Sequence, residues 1–76
     1  MKTLTNYNVI YKPEPEGGYT VIVPTLPGCV TYGQTLGEAQ IMAKDAIKAY
    51  VSSLKKHRET VPTDTDTFIT SIAAYA

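Results

Sequence analysis

The feature that most constrains this chain is a single long helical pattern in its second half. Leu36, Ala39, Ala43, Ala46, Ile47, Tyr50 and Leu54 recur at steps of three and four. That spacing lays them along one face of a 3.6-residue helix. Lys44, Asp45, Lys48, Ser52 and Lys55 fall on the other side. Thr35 and Glu38 have the spacing of a capping box, in which each side chain satisfies a free backbone N–H at the helix start. Lys55, Lys56, His57 and Arg58 complement the negative end of the helix dipole. A helix of about 20 residues is about 30 Å long. Three of its inward positions are alanines, so this face can lie close against a sheet.

The first half supplies the sheet. Tyr7 to Lys12 alternate, with Tyr7, Val9 and Tyr11 on one side and Asn8, Ile10 and Lys12 on the other. Alternation in β-branched and aromatic residues predicts a half-buried strand. Pro13-Glu14-Pro15-Glu16-Gly17-Gly18 breaks it, because proline cannot donate to a ladder and glycine admits positive φ. Tyr19 to Val23 is the next strand, ended by Pro24. Thr25-Leu26-Pro27-Gly28 is a second turn, and Cys29 to Tyr32 a short third strand. Three sequential strands with short connections favour an antiparallel meander. After the helix, Glu59 to Asp66 is a polar connection. Thr67 to Tyr75 has strand composition, with Phe68 and Ile72 on one face and Ile69, Ala73 and Tyr75 on the other. The expected fold is therefore α+β, in the order β-β-β-α-β, as one domain over residues 1–76. A fourth strand apolar on both faces is expected to meet the helix on one side and a second chain on the other.

Size narrows how such a domain is held together. With 76 residues it buries about 60–65 % of the surface its unfolded chain exposes, which leaves a narrow stability margin. Cys29 is the only cysteine, so no disulfide forms within the chain, and with His57 the only histidine a metal site is not expected. Self-association is the remaining route, and a homo-oligomer is the default expectation. Seven Lys and Arg balance seven Asp and Glu, which argues against a domain built to neutralise phosphates. No apolar run approaches the length that spans a bilayer, and the N-terminus lacks a signal-peptide pattern. A lone thiol without an export signal fits the reducing cytoplasm.

The candidate chemical groups mostly read as structural. His57 would need an orienting acid and a nucleophile to act as a base, and among Lys55, Lys56 and Arg58 it reads as a solvated helix end. Cys29 follows a Pro-Gly turn with no cation adjacent in sequence to lower its pKa, so it reads as a small buried hydrophobe. The Lys55–Arg58 cluster is a weak nucleic-acid footprint on a neutral chain. Six tyrosines stand beside one phenylalanine and no tryptophan. Tyr50 belongs to the helix core face. The others are either ordinary strand residues with wet hydroxyls or part of an interface, where tyrosine is enriched; together they point to an interface on the sheet.

Several of these segments resemble one known family. Gly18-Tyr19-Thr20-Val21, Pro24-Thr25-Leu26-Pro27-Gly28-Cys29 and Thr31-Tyr32-Gly33-Gln34-Thr35-Leu36-Gly37-Glu38-Ala39 are similar to the HicB antitoxins, as are Ala46-Ile47, Tyr50 and Val61-Pro62. The resemblance covers about residues 7 to 75. It implies a partly degraded ribonuclease H-like fold. It also implies a partner: a small HicA-type toxin, with a double-stranded-RNA-binding-domain-like fold, that cleaves messenger RNA with a histidine and is silenced by the antitoxin. Many HicB proteins carry a C-terminal DNA-binding domain. This sequence stops at Ala76 after the last predicted strand, so direct DNA binding by this chain alone is not expected. Pro27, Gly28, Cys29 and Tyr32 carry the resemblance and are the candidate partner-binding residues. Fold resemblance does not by itself establish function.

The ribonuclease H likeness raises an enzyme reading. That chemistry needs several carboxylates converging on two metal ions. Glu14, Glu16, Glu38, Asp45, Glu59, Asp64 and Asp66 are the carboxylates, and none lies inside the first three predicted strands. Asn8 is the nearest polar group on the first, and an amide replaces a bridging carboxylate poorly. The expectation is a non-enzymatic, cofactor-free antitoxin-type protein. The alternative is an oligomeric structural or adaptor module with no toxin partner.

Overall fold

A computed structural model describes residues 5–75. Three strands, β1 (Ile10–Pro13), β2 (Tyr19–Ile22) and β3 (Val30–Gly33), precede one helix, α1 (Leu36–Lys56). The sheet order is β1-β2-β3, antiparallel throughout, as the short connections require. β1 begins three residues later than the alternation predicts, so Tyr7, Asn8 and Val9 approach the sheet without joining its ladder. β2 stops one residue short of Val23, and β3 is shifted one residue on, to Val30–Gly33.

Register sorts the side chains. Tyr11, Val21 and Thr31 are cross-strand partners, and Val21 is fully buried, so their side of the sheet is the helix side. Val21 packs with Ala39 and Ala43, and Val9, Tyr11 and Tyr19 close around them. The alanines allow the helix to ride low on the sheet. At Gly33 the approach is closest: a Cβ there would run into the backbone of Ala39. A second cluster, Val23, Leu26 and Cys29, lies under Ala46, Ile47, Tyr50 and Val51. The helix therefore packs on β3 and β2.

Both helix ends are capped. Thr35 Oγ1 accepts from Glu38 N at 3.1 Å, while the Glu38 carboxylate reaches one residue further back than a capping box requires and accepts from Gln34 N at 3.1 Å. At the other end Arg58 takes the left-handed conformation, with φ 56°. Arg58 N donates to Lys55 O and Glu59 N to Leu54 O, the paired bonds of a Schellman closure. Leu36, placed by its spacing on the core face, is 46 % exposed, because it sits in the first helical turn, at the end of that face.

The fourth strand expected over Thr67–Tyr75 is not part of the sheet. After α1 the chain returns past the start of the first strand. Tyr7 Oη donates to Pro62 O at 2.7 Å, Asn8 N donates to Asp64 Oδ2 at 2.7 Å, and Asn8 Nδ2 donates to Thr67 O at 3.4 Å. From there residues 68–75 run on exposed and without a ladder. Strand composition was present, but a strand also needs an edge, and this segment leaves β1 without pairing to it.

Candidate functional site

Tyr50, His57 and Asp64 each make a hydrogen bond that holds the fold together, and Cys29 is buried. The loop from Val23 to Cys29 is closed by three backbone bonds: Val23 N to Cys29 O, Leu26 N to Val23 O and Cys29 N to Leu26 O. These turn Leu26 and Cys29 inward, to 1 % and 5 % exposure. Burial pushes the Cys29 thiol above its ordinary pKa, which removes it from the class of reactive thiolates. Gly28 sits at φ 78° with open space where a Cβ would project, so the backbone conformation alone requires glycine there. Tyr50 Oη donates to Pro27 O at 2.7 Å and ties the loop to the helix. His57 caps α1, and its Nδ1–H donates to Ser53 O at 2.8 Å; a carbonyl only accepts, so the ring nitrogen is the donor.

In sequence Asp64 reads as one carboxylate of a polar connection, with no structural role of its own. Its carboxylate accepts from Asn8 N and from the Thr25 hydroxyl, and its carbonyl accepts from Thr67 N at 3.2 Å. One side chain thus joins the entry to the first strand, the β2–β3 loop and the chain after the helix. The Thr25 hydroxyl and the Asn8 amide hold the carboxyl below its ordinary pKa. No sequence spacing signals a clasp of this kind, because its partners lie 39 and 56 residues away. Among the described residues, no three His, Cys, Asp or Glu side chains are grouped so as to hold a metal ion.

What the structure leaves open is a face. The helix covers one side of the sheet. On the other side Ile10, Ile22 and Val30 stand in register across all three strands. Ile10 and Val30 are exposed and Ile22 is half-buried. The next rung is Lys12, Thr20 and Tyr32. An antiparallel sheet with one solvated face ordinarily alternates apolar-in and polar-out, so an aliphatic rung on the open face departs from the rule.

The four residues singled out in the sequence do not converge. Tyr32 lies on the open face, where its hydroxyl donates to Gly17 O at 2.9 Å and its ring covers Gly18. Pro27 and Gly28 are exposed in the loop before β3, and Cys29 faces the core. The aliphatic rung itself was missed. Its signal was available in the alternation, since Ile10 and Ile22 occupy the polar phase of their strands.

The model of the HicB_like antitoxin of bacterial toxin-antitoxin system family matches residues 7–74. A UPF0150 protein of Thermoplasma acidophilum is 53 % identical over 58 residues, covering 76 % of this chain and 84 % of the relative. A UPF0150 protein of Synechocystis is 38 % identical over 61 residues, 80 % of this chain and 77 % of the relative. Antitoxin HicB of Escherichia coli K12 is 38 % identical over 56 residues, 74 % of this chain but 41 % of that protein. Among the described residues no helix is long and apolar enough to cross a membrane.

Proposed function

The chain belongs to the HicB-like antitoxin family of bacterial toxin–antitoxin systems, and from that premise we propose that it binds and inhibits a small HicA-type toxin that cleaves messenger RNA. It acts in the cytoplasm as one HicB-like domain per chain, without cofactor and without catalysis of its own, by covering the toxin's active site. The observation that carries this reading is the open sheet face, where Ile10, Ile22 and Val30 form an apolar rung beside Tyr32. A rigid sheet presents such a surface at little entropic cost, because the strands are already ordered. Tyr32 belongs to the toxin contact, the exposed Pro27-Gly28 turn leads into β3 at the Val30 end of the rung, and the buried Cys29 fixes that turn.

The test is an RNA-cleavage assay with the candidate HicA-type toxin of the same cell. Cleavage is lost at about one-to-one stoichiometry, with a co-eluting complex. Unchanged cleavage at saturating amounts of this protein refutes the reading. The double variant Ile10→Asp, Val30→Asp retains its helical circular dichroism but inhibits at least about tenfold more weakly, the loss expected when charge enters an apolar interface centre.

A second reading, an oligomeric structural or adaptor module, is favoured by the exposed apolar residues Phe68, Ile69, Ile72 and Tyr75. It predicts a stable homo-oligomer that binds no HicA-type toxin.

A further inference from the structure

We propose that residues 67–75 are an exchange arm that adds as a strand to the β1 edge of a second copy of this chain, so that two copies complete each other's sheets. Phe68 is 87 % exposed and Ile72 85 % exposed, and Ile69 and Tyr75 are also exposed. So many large apolar side chains in nine consecutive residues cost free energy in water and are not the composition of a solvated tail. Among the described residues, no hydrogen bond joins residues 68–75 to the rest of the chain. The radius of gyration is 14.1 Å, against about 11 Å for a compact domain of this length.

The complementary surface is present on the same molecule. β1 is an edge strand with one neighbour, β2. The helix packs on β3 and β2 and leaves a groove of about 290 Å³ beside β1, lined among others by Tyr7, Val9, Tyr11, Ala43 and Ile47. Residues 7–8 are already joined to residues 62–67 of their own chain, and a strand laid along the outer edge of residues 9–12 gains backbone hydrogen bonds and turns alternate side chains toward this groove. Phe68 and Ile72 share one face of the arm and enter together. Pro13, which has no N–H, ends the usable edge.

Position selects β1 over β3. The root of the arm is fixed beside the first strand by the bonds from Tyr7 to Pro62 and from Asn8 to Thr67. A two-fold axis that brings two β1 edges together therefore places each arm root next to the partner's edge, and both exchanges form at once in an isologous contact. Nine extended residues reach about 30 Å, enough to run the length of a four-residue strand and its flanks. This proposal stands apart from the toxin reading, since it concerns only copies of this chain.

The test uses the full chain. Sedimentation across a concentration series gives a dimer for the wild type, and Phe68→Asp, Ile72→Asp weakens dimerisation by at least about 100-fold, since two apolar anchors are lost from each of two sites. Both positions are exposed in the single copy, so the variant keeps its fold, checked by circular dichroism. In a dimer mixed from isotope-labelled and unlabelled chains, intermolecular contacts join Phe68 and Ile72 to Val9 and Tyr11. A wild type that stays monomeric, a variant that dimerises as well as the wild type, or contacts to Val30 and Tyr32 instead of Val9 and Tyr11 each overturns the proposal.

Discussion

Tyr19–Ile22 and Thr67–Tyr75 are built from the same kinds of residue, β-branched and aromatic, and they end differently. The first is the central strand, paired on both sides, with Val21 fully buried. The second is unpaired and exposed. The difference is not in propensity. It is that β2 has β1 and β3 within short loops of it, whereas residues 67–75 follow a helix of 21 residues and must find their edge at a distance. β-propensity measures how well a segment fits a pleated, half-buried surface, and the surface has to be supplied by something else.

Substitutions on the two sides of this contrast should differ sharply. The largest effect is expected at Leu26, 1 % exposed: Leu26→Ala should cost about 3 kcal/mol through lost burial and a residual cavity, read as a fall in the urea midpoint. In a domain this small that is a large share of its total stability. Next is Gly33→Ala, where a methyl meets the Ala39 backbone and should cost about 2 kcal/mol as overpacking; a loss well below that would mean the helix lifts freely off β3.

Asp64 tests the link between the two regions. Its pKa is lowered in the folded chain, so the stability it contributes is fully present above the unfolded value, near 3.8, and is lost as pH falls through the lower folded value. Asp64→Asn should therefore melt lower than the wild type at neutral pH, and the gap should close as acid protonates the wild-type carboxylate below its ordinary range. A gap that stays constant on acidification would show that the carboxylate's charge does not matter there. The smallest effect separates the regions: at concentrations where the chain is monomeric, Phe68→Ala should change stability by less than about 0.5 kcal/mol. A loss comparable to that at Leu26 would mean residue 68 packs against its own body.

Much of the fold could be read along the chain. The three strands emerged within three residues of their bounds, the helix and its Thr35 cap at their places, and the burial of Cys29 from its Pro-Gly context. The misses have physical reasons. Leu36 has the right spacing, but it lies at the end of the core face. Asp64 looks like loop polarity until its partners, far off in sequence, are brought beside it. The tyrosines did not mark the open face: Tyr7, Tyr11 and Tyr19 pack against the core on the helix side and Tyr32 lies on the other side, while the rung of Ile10, Ile22 and Val30 depends on register across three strands.

The sequence by itself determined the local elements, because helix period, strand alternation, capping and turn chemistry are set within a few residues of each other. It also determined the absence of disulfides within the chain, since one cysteine allows none. Only the tertiary structure decided which face of the sheet the helix covers, where Asp64 fastens the chain, and that residues 67–75 leave the sheet unpaired. Those outcomes depend on contacts between segments far apart in sequence, whose free energy no single segment carries.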